Sequence, residues 1–168
     1  MREGAAFSTL YAGVLLTILG ALAWVTGRTL IFPSLGPSAF LLATVRDGEV
    51  TAPRRVIGGH FIGVAAGWIA YHTVAPGLNV MTAAPMLSSA QLRLAVSGVL
   101  AVMITTGAML ATDTVHPPAC ATTLIVSLGF LTSLADSASI MLAVVVLVGV
   151  HKLVLREQSV GDYISIGR

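Results

Sequence analysis

Long uncharged stretches alternate with short charged or proline-rich stretches along the chain. A helix needs about 20 apolar residues to cross the roughly 30 Å hydrocarbon core of a bilayer. Segments one, three, four and six meet that need, whereas prolines interrupt segments two and five. The pattern predicts an all-α polytopic membrane protein with about six membrane segments, segments two and five being broken or re-entrant. The six segments cover about residues 5–26, 29–45, 56–75, 92–110, 117–129 and 137–154.

Composition favours the same class of protein. Hydrophobic residues make up 56% of the 168 residues and charged residues only 10%, whereas soluble domains carry roughly 25% charged residues. The uncharged stretch of residues 4–27 is longer than the apolar region of a signal peptide, so we interpret it as a first transmembrane helix. The net charge is only +2 and no dense basic patch is present. We therefore expect the lipid bilayer, and not a nucleic acid, as a partner.

The basic residues predict an orientation, because cytoplasmic loops are enriched in Lys and Arg. With six segments, seven basic residues fall on the side of the termini and two on the other side. Both termini are then cytoplasmic, in what we expect to be a prokaryotic inner membrane. A four-span arrangement that omits segments two and five also keeps the termini inside. The seven are Arg2, Arg46, Arg54, Arg55, Lys152, Arg156 and Arg168, and the two are Arg28 and Arg93.

A weak internal repeat is present at an offset of 80 residues. Thr26-Gly27, Leu30, Pro37 and Ala39 recur as Thr106-Gly107, Leu110, Pro117 and Ala119. Because each half would hold three segments, the second half would enter the membrane upside down, as in many transporters. We predict one transmembrane domain, 1–168, built from two inverted three-segment repeats (about 5–75 and 85–155). Chance similarity between two apolar sequences is the alternative.

Two proline motifs interrupt segments two and five, namely PSLGPSA at 33–39 and HPPA at 116–119. Proline favours the first turn of a helix, and the residue before it is pushed towards extended backbone. Each motif therefore predicts extended backbone followed by a short helix. About ten residues remain after the second proline of the first motif, enough for roughly 15 Å of helix or half a bilayer core. An ordinary proline turn at each membrane surface is the alternative.

Two half-helices that begin near the membrane centre would form an anion site. A helix start presents free N–H groups and the positive end of the helix dipole. Ser34, Ser38 and Thr114 could add hydroxyl donors. His116 could donate to a bound anion or relay a proton, and Asp113 could set its tautomer or charge. Both could instead be solvated at the membrane surface.

His60 lies beside a stripe of small residues, Gly59, Gly63 and Gly67. Such a stripe allows another helix to approach closely, so it predicts either packing against a half-helix or a seam between subunits. His60 could face the same cavity as His116, or it could be an interfacial histidine. His72 and His151 lie near the ends of segments and are expected to be interfacial.

No motif indicates a metal, a cofactor or an enzyme. The sequence contains no CxxC, HExxH, Walker, GxGxxG or GxSxG pattern, so we expect no metal, no cofactor and no enzymatic activity. The single cysteine, Cys120, cannot form a disulfide within the chain. An intramembrane enzyme that uses His60, Asp113 and His116 is the lowest-ranked alternative.

Three stretches in this order resemble the HPP family of small integral membrane proteins, which is named for its His-Pro-Pro motif. They are SLGPSA at 34–39, PRRVIGGHFIG at 53–63 and HPPA at 116–119, and the resemblance extends from about Thr9 to Leu155. The resemblance implies a membrane protein and an expected role in solute transport, since plastid and cyanobacterial relatives are associated with nitrite transport. Members are usually described as four-span proteins, which differs from the six segments predicted above.

The resulting expectation is transport of a small inorganic anion, nitrite being the candidate that the resemblance implies. The alternative is a non-transporting membrane subunit or scaffold that binds a partner through Gly59, Gly63 and Gly67. A homo-oligomer is expected in either case. The predicted substrate-binding residues are Ser34, Gly36, Pro37, Ser38, His60, Thr114, His116, Pro117, Pro118 and Ala119, with Asp113 as a possible relay.

Overall fold

A computed structural model describes the backbone of residues 2–82 and 84–166, and the side-chain surroundings of residues 4–82 and 84–156. This part of the chain is helical, with no strand among the residues described. One turn of 3₁₀ helix, Glu49–Thr51, precedes the third α-helix. The six helices follow the order of the six predicted segments. They are α1 (Arg2–Thr26), α2 (Leu35–Thr44), α3 (Pro53–Val74), α4 (Ser89–Ala111), α5 (Ala119–Ser127) and α6 (Leu134–Ile166).

The second and fifth helices are short, as the proline motifs predict. α2 has 10 residues and α5 has 9, so each is about 15 Å long or less. Non-helical backbone precedes both helices. Pro37 lies in the first turn of α2, and Pro117 and Pro118 form the turn before α5, positions where the missing N–H breaks no intrahelical bond.

One end of the bundle, called the Arg46 end, gathers the start of α1 and the ends of α2, α4 and α6. The Tyr11 hydroxyl lies 2.8 Å from Nδ1 of His151, whose Nε2 lies 2.9 Å from the Arg46 carbonyl oxygen. Arg55, at the start of α3, donates to Asp113 after α4 at 2.8 Å. Residues near the two ends of the described chain therefore meet at this end.

The opposite end, called the Arg28 end, gathers the end of α1 and the starts of α4 and α6. Arg28 and Asp136 line one cavity there. Arg93 donates from Nε to the Val74 carbonyl at 2.7 Å. The ends of α3 and α5 meet in the same region, where the N–H of Val80 donates to the carbonyl of Leu128.

These contacts place the two ends of segment two at opposite ends of the bundle, and the same holds for the two ends of segment five. Segment two leads from Arg28 to Arg46, and segment five leads from Asp113 to Leu128. The contacts therefore favour the broken form of both segments over the re-entrant form. The inverted relationship of the halves, the cytoplasmic side and the depth of each helix in the bilayer stay predictions. Of the residues used to predict orientation, Arg168 and the side chain of Arg2 lie outside the described part.

Three described helices are long and apolar enough to cross a membrane, namely Gly4–Thr26, Ser89–Ala111 and Leu134–Arg156. α3 was expected to be a fourth; it has 22 residues but does not reach the same apolarity. Its sequence includes two arginines, two histidines and four glycines. The physical reason is its position, because α3 packs against α4, α5 and α6 and so needs less lipid-compatible surface.

Large apolar side chains cover the outer surface of the bundle. Trp24 is 87% exposed, and Leu92, Met103 and Leu153 are also exposed on α4 and α6. Monomeric soluble proteins rarely expose large contiguous apolar surfaces, whereas lipid tails solvate them. The protein is therefore an integral helical membrane protein. Its main core contains the fully buried side chains Leu15, Leu19, Leu35, Leu42, Ile140 and Leu147.

Candidate functional site

α5 lies directly on the glycine stripe of α3. A Cβ atom built on Gly59 would lie 2.9 Å from Cβ of His116, one on Gly63 would lie 2.7 Å from the Ala119 carbonyl oxygen, and one on Gly67 would lie 2.8 Å from the Thr123 carbonyl oxygen. Any larger residue would push the two helices apart. Of the two predicted roles of the stripe, packing against a half-helix is the one observed.

This close approach brings three polar side chains of different segments together. Oγ of Ser38 on α2 lies 3.0 Å from Nε2 of His60 on α3 and 3.1 Å from Nε2 of His116, just before α5. The two imidazole rings are 5.2 Å apart between centroids. All three side chains are fully buried, at 0% exposure. We call these three residues the central cluster.

The outer nitrogens of both histidines also have partners. Nδ1 of His60 lies 2.7 Å from Oγ1 of Thr122 on α5. Nδ1 of His116 lies 3.1 Å from the carbonyl oxygen of Val50 in the 3₁₀ turn. Because a carbonyl oxygen only accepts hydrogen bonds, Nδ1 of His116 must carry a hydrogen atom. The central cluster therefore connects segments two, three and five with the turn at the Arg46 end.

One hydroxyl beside the central cluster has no partner. Oγ of Ser34 is buried without a hydrogen bond, although the Ser34 carbonyl oxygen lies 3.2 Å from Oγ of Ser38. An unsatisfied buried hydroxyl costs roughly 1–3 kcal/mol. The Ser34 side chain does not cap α2, so the residue whose carbonyl contacts Ser38 also carries an unpaired buried hydroxyl.

The free N–H groups expected at the start of α5 already have acceptors. The N–H groups of Ala119, Cys120 and Ala121 donate to the three preceding turn carbonyls at 3.0 to 3.1 Å. At the start of α2, the N–H of Leu35 donates to Phe32 at 2.9 Å. The prediction that helix starts supply the binding donors is therefore corrected for the first turn of α5, and it stays a prediction for α2. The turn before α5 uses its donors, and the side chains of the cluster are the polar groups that meet.

Several predicted site residues have side chains that lie outside the central cluster. Pro37 and Pro117 are exposed, and Gly36 is half-buried with open space around its Cα. The Thr114 hydroxyl pairs with that of Thr112 at 2.8 Å instead. Of the predicted set, the residues in or next to the cluster are Ser34, Ser38, His60, His116, Pro118 and Ala119, all of them buried.

Asp113 does not reach His116, so its expected influence on that imidazole is absent. Its carboxylate pairs with Arg55, which also contacts Glu49 at 3.1 Å, and its side chain is 67% exposed. Its backbone adopts a positive φ of 52°. This left-handed turn directs the side chain to the surface of the Arg46 end, while both nitrogens of His116 bind other groups.

Two groups of the site carried no recognised signal in the sequence. Thr122 is a hydroxyl residue in an apolar short helix, two turns beyond His116, and its position on the buried face of α5 was the available hint. The Val50 carbonyl oxygen carries no sequence signal at all, since every residue has one. Neither was predicted, because the expected site was centred on the two helix starts and His60, whereas Thr122 is the fourth residue of α5.

The central cluster is closed in this structure. The five described cavities are lined by other residues. Among the residues described, no group of three His, Cys, Asp or Glu side chains could hold a metal ion. The cluster is thus a packed set of hydrogen-bond donors and acceptors, without a carboxylate.

The comparisons with known proteins agree with the resemblance seen in the sequence. The family model described as "HPP, transmembrane region" matches residues 2–159. No match to a curated protein was found, and none to a solved structure. The matched range contains all six segments and every residue of the central cluster. The chain belongs to the HPP family of transmembrane proteins.

Proposed function

We propose that this protein transports a small inorganic anion across the membrane, and that the anion binds at the central cluster. The observation that carries the proposal is the meeting of Ser38, His60 and His116 at full burial. Polar side chains inside a membrane protein are costly and usually serve a substrate or ion path. Broken helices are the usual place for such a site in transporters.

The chemistry of the cluster favours an anion over a cation. Two imidazoles and the hydroxyls of Ser34, Ser38 and Thr122 can all donate hydrogen bonds. No carboxylate belongs to the cluster, and the carboxylate of Asp113 is engaged with Arg55. A cation would lack a counter-charge there, whereas an anion would find several donors.

Nitrite is our first candidate because of the family resemblance. It is a small planar monoanion, and two imidazole N–H groups with hydroxyls could replace part of its hydration shell. Because the cluster is closed, segments two and five must separate for an anion to enter. We place the protein in a prokaryotic cell membrane with both termini cytoplasmic, and we expect a homo-oligomer.

Uptake into liposomes tests the proposal. Purified protein reconstituted in liposomes should accumulate nitrite faster than protein-free liposomes. His116→Ala should reduce uptake about tenfold or more, because it removes one of two central imidazoles. His72→Ala is the matched control, since His72 is exposed and contacts only its own helix through the Trp68 carbonyl. Wild-type uptake equal to that of empty liposomes would refute transport of nitrite, and equal uptake by both variants would remove His116 from the site.

The two alternatives lose their specific support. A scaffold that binds through Gly59, Gly63 and Gly67 would need a free face, and α5 occupies that face. An intramembrane enzyme that combines His60, Asp113 and His116 would need Asp113 at the imidazoles, and Asp113 lies at the surface with Arg55. We therefore propose transport without chemical turnover.

A further inference from the structure

The hydrogen bonds of the central cluster form one continuous chain. It runs from Thr122 through His60, Ser38 and His116 to the Val50 carbonyl, with distances of 2.7, 3.0, 3.1 and 3.1 Å. When both histidines are neutral, the Val50 carbonyl at its end fixes the direction of the other hydrogen bonds, because a carbonyl oxygen only accepts. Neutral His116 with hydrogen on Nδ1 has a lone pair on Nε2, so the Ser38 hydroxyl donates to it. Ser38 then accepts from Nε2 of His60, whose Nδ1 accepts from Thr122.

The Ser38 hydroxyl has a second acceptor within reach. The Ser34 carbonyl oxygen lies 3.2 Å away, at a distance similar to that of the His116 nitrogen. If both imidazoles present N–H groups to Ser38, its hydroxyl can rotate to this carbonyl. Because Nδ1 of His116 already carries hydrogen, this second arrangement holds one extra proton on His116, and it forms without any movement of the backbone.

We infer that Ser38 passes a proton between His60 and His116, so that this protein couples transport to proton movement. The inference extends the proposed function by adding a second transported species. Imidazole nitrogens and a hydroxyl at hydrogen-bond distance are suitable relay groups. The relay joins the buried Thr122 to Val50, which is half-buried at the Arg46 end. It thus connects the interior of the bundle with one membrane surface.

The proton step balances without a redox change. A proton from water or from the protonated anion binds Nδ1 of His60, after the Thr122 hydroxyl has turned to accept. The N–H bond at Nε2 of His60 breaks as that proton bonds to Oγ of Ser38. The former hydroxyl proton of Ser38 bonds to Nε2 of His116. The positive charge moves from His60 to His116, whose Nδ1–H still donates to the Val50 carbonyl. When the cluster opens for the anion, a water molecule at the Arg46 end takes the Nδ1 proton, and His116 keeps the hydrogen on Nε2.

Four charged residues lie at the Val50 end of the relay, whereas Arg93 of α4 lies at the Arg28 end. Arg54 and Arg55 begin α3, Glu49 belongs to the 3₁₀ turn and Asp113 follows α4. Arg54 donates to the Thr112 carbonyl, and Arg55 pairs with both carboxylates. α2 contains no Asp, Glu, Lys, Arg or His, and the one thiol of α5 is that of Cys120. The two imidazoles are therefore the titratable groups within the relay itself.

The first test measures anion and proton movement in the same liposomes. Nitrite uptake is followed chemically and internal pH by a trapped dye, with the membrane potential clamped and protein-free liposomes subtracted. Wild-type uptake should be accompanied by a pH change. Ser38→Ala should reduce that change at least tenfold, and Ser38→Thr should restore it because a hydroxyl returns. Ser139→Ala is the matched control, since Ser139 also donates to a carbonyl four residues earlier, in an exposed hydrogen bond away from the cluster. Uptake without a pH change would overturn the relay and leave the proposed function standing.

The second test does not depend on transport. Histidine nitrogens labelled with ¹⁵N are followed by NMR through an acid titration of the protein in lipid nanodiscs. The relay requires Nδ1–H on neutral His116 and Nε2–H on neutral His60, and the signals of both should change together because one proton is shared. Ser38→Ala should make them titrate separately. The opposite tautomers, or separate titration in the wild type, would overturn the relay even if nitrite is not transported.

Discussion

Two regions of this protein bury histidine completely, and their hydrogen bonds differ. At the Arg46 end, His151 lies between the Tyr11 hydroxyl and the Arg46 carbonyl. Since the carbonyl must receive Nε2–H, Tyr11 must donate to Nδ1, and one arrangement of hydrogen atoms remains. In the central cluster, the Ser38 hydroxyl lies between two imidazoles and also has the Ser34 carbonyl within reach, so a second satisfied arrangement forms when His116 binds an extra proton.

This difference shows that burial alone does not identify a functional histidine. His151 is expected to be interfacial, and the structure adds that it is fully buried, because it joins α1 and α6 to the backbone just after α2. Its partners allow a single arrangement of hydrogen atoms, as expected of a histidine with a structural role. The histidines of the central cluster share a partner that can change its donor role, as a transport or relay site requires.

The largest effect is expected from Gly63→Ala, which breaks the central region and leaves the His151 region in place. The new Cβ would lie 2.7 Å from a backbone carbonyl oxygen of α5. Overpacking of this kind typically costs about 1–3 kcal/mol and occasionally more. Gly107→Ala is the control, since nothing lies within 4 Å of a Cβ there. Thermal unfolding in detergent should show a lower midpoint for Gly63→Ala only; equal midpoints would contradict the packing of α5 on α3.

A smaller effect is expected from Tyr11→Phe, which changes the His151 region and leaves the central cluster intact. It removes the hydroxyl that donates to His151 and leaves the buried Nδ1 without a donor. The expected loss of stability is about 1–3 kcal/mol, measured by the same thermal unfolding. Nitrite uptake per folded molecule should remain within about twofold of wild type. A tenfold loss of uptake in a folded variant would show that the Arg46 end takes part in transport.

The smallest effect is expected from Asp113→Asn. The ion pair with Arg55 is partly exposed, and such pairs contribute roughly 0–1 kcal/mol. Arg55 also keeps its contact with Glu49. Both the unfolding midpoint and the uptake rate should therefore change little. A loss of uptake comparable to that of His116→Ala would restore Asp113 to the site.

The local features of the fold could be predicted from the sequence because they depend on neighbouring residues. Apolar length gave the long helices, and the prolines gave the starts of α2 and α5 to within two residues. The glycine stripe on α3 predicted a surface for close packing, and α5 packs on that surface. The prediction for the start of α5 failed because it counted N–H groups without the tight turn that binds them. The direction of the Asp113 side chain also depends on its positive φ angle, which no sequence pattern specified.

By itself, the sequence determined the class of protein, the order of the segments and the residues that can supply polar groups in the membrane. Tertiary structure alone decided that Ser38, His60 and His116 meet, and that Thr122 and the Val50 carbonyl complete the chain. The physical reason is that helix length and breaks follow from local sterics and apolar content. Hydrogen bonds between segments far apart in sequence depend on how closely the helices approach, and here the glycines of α3 set that approach for α5.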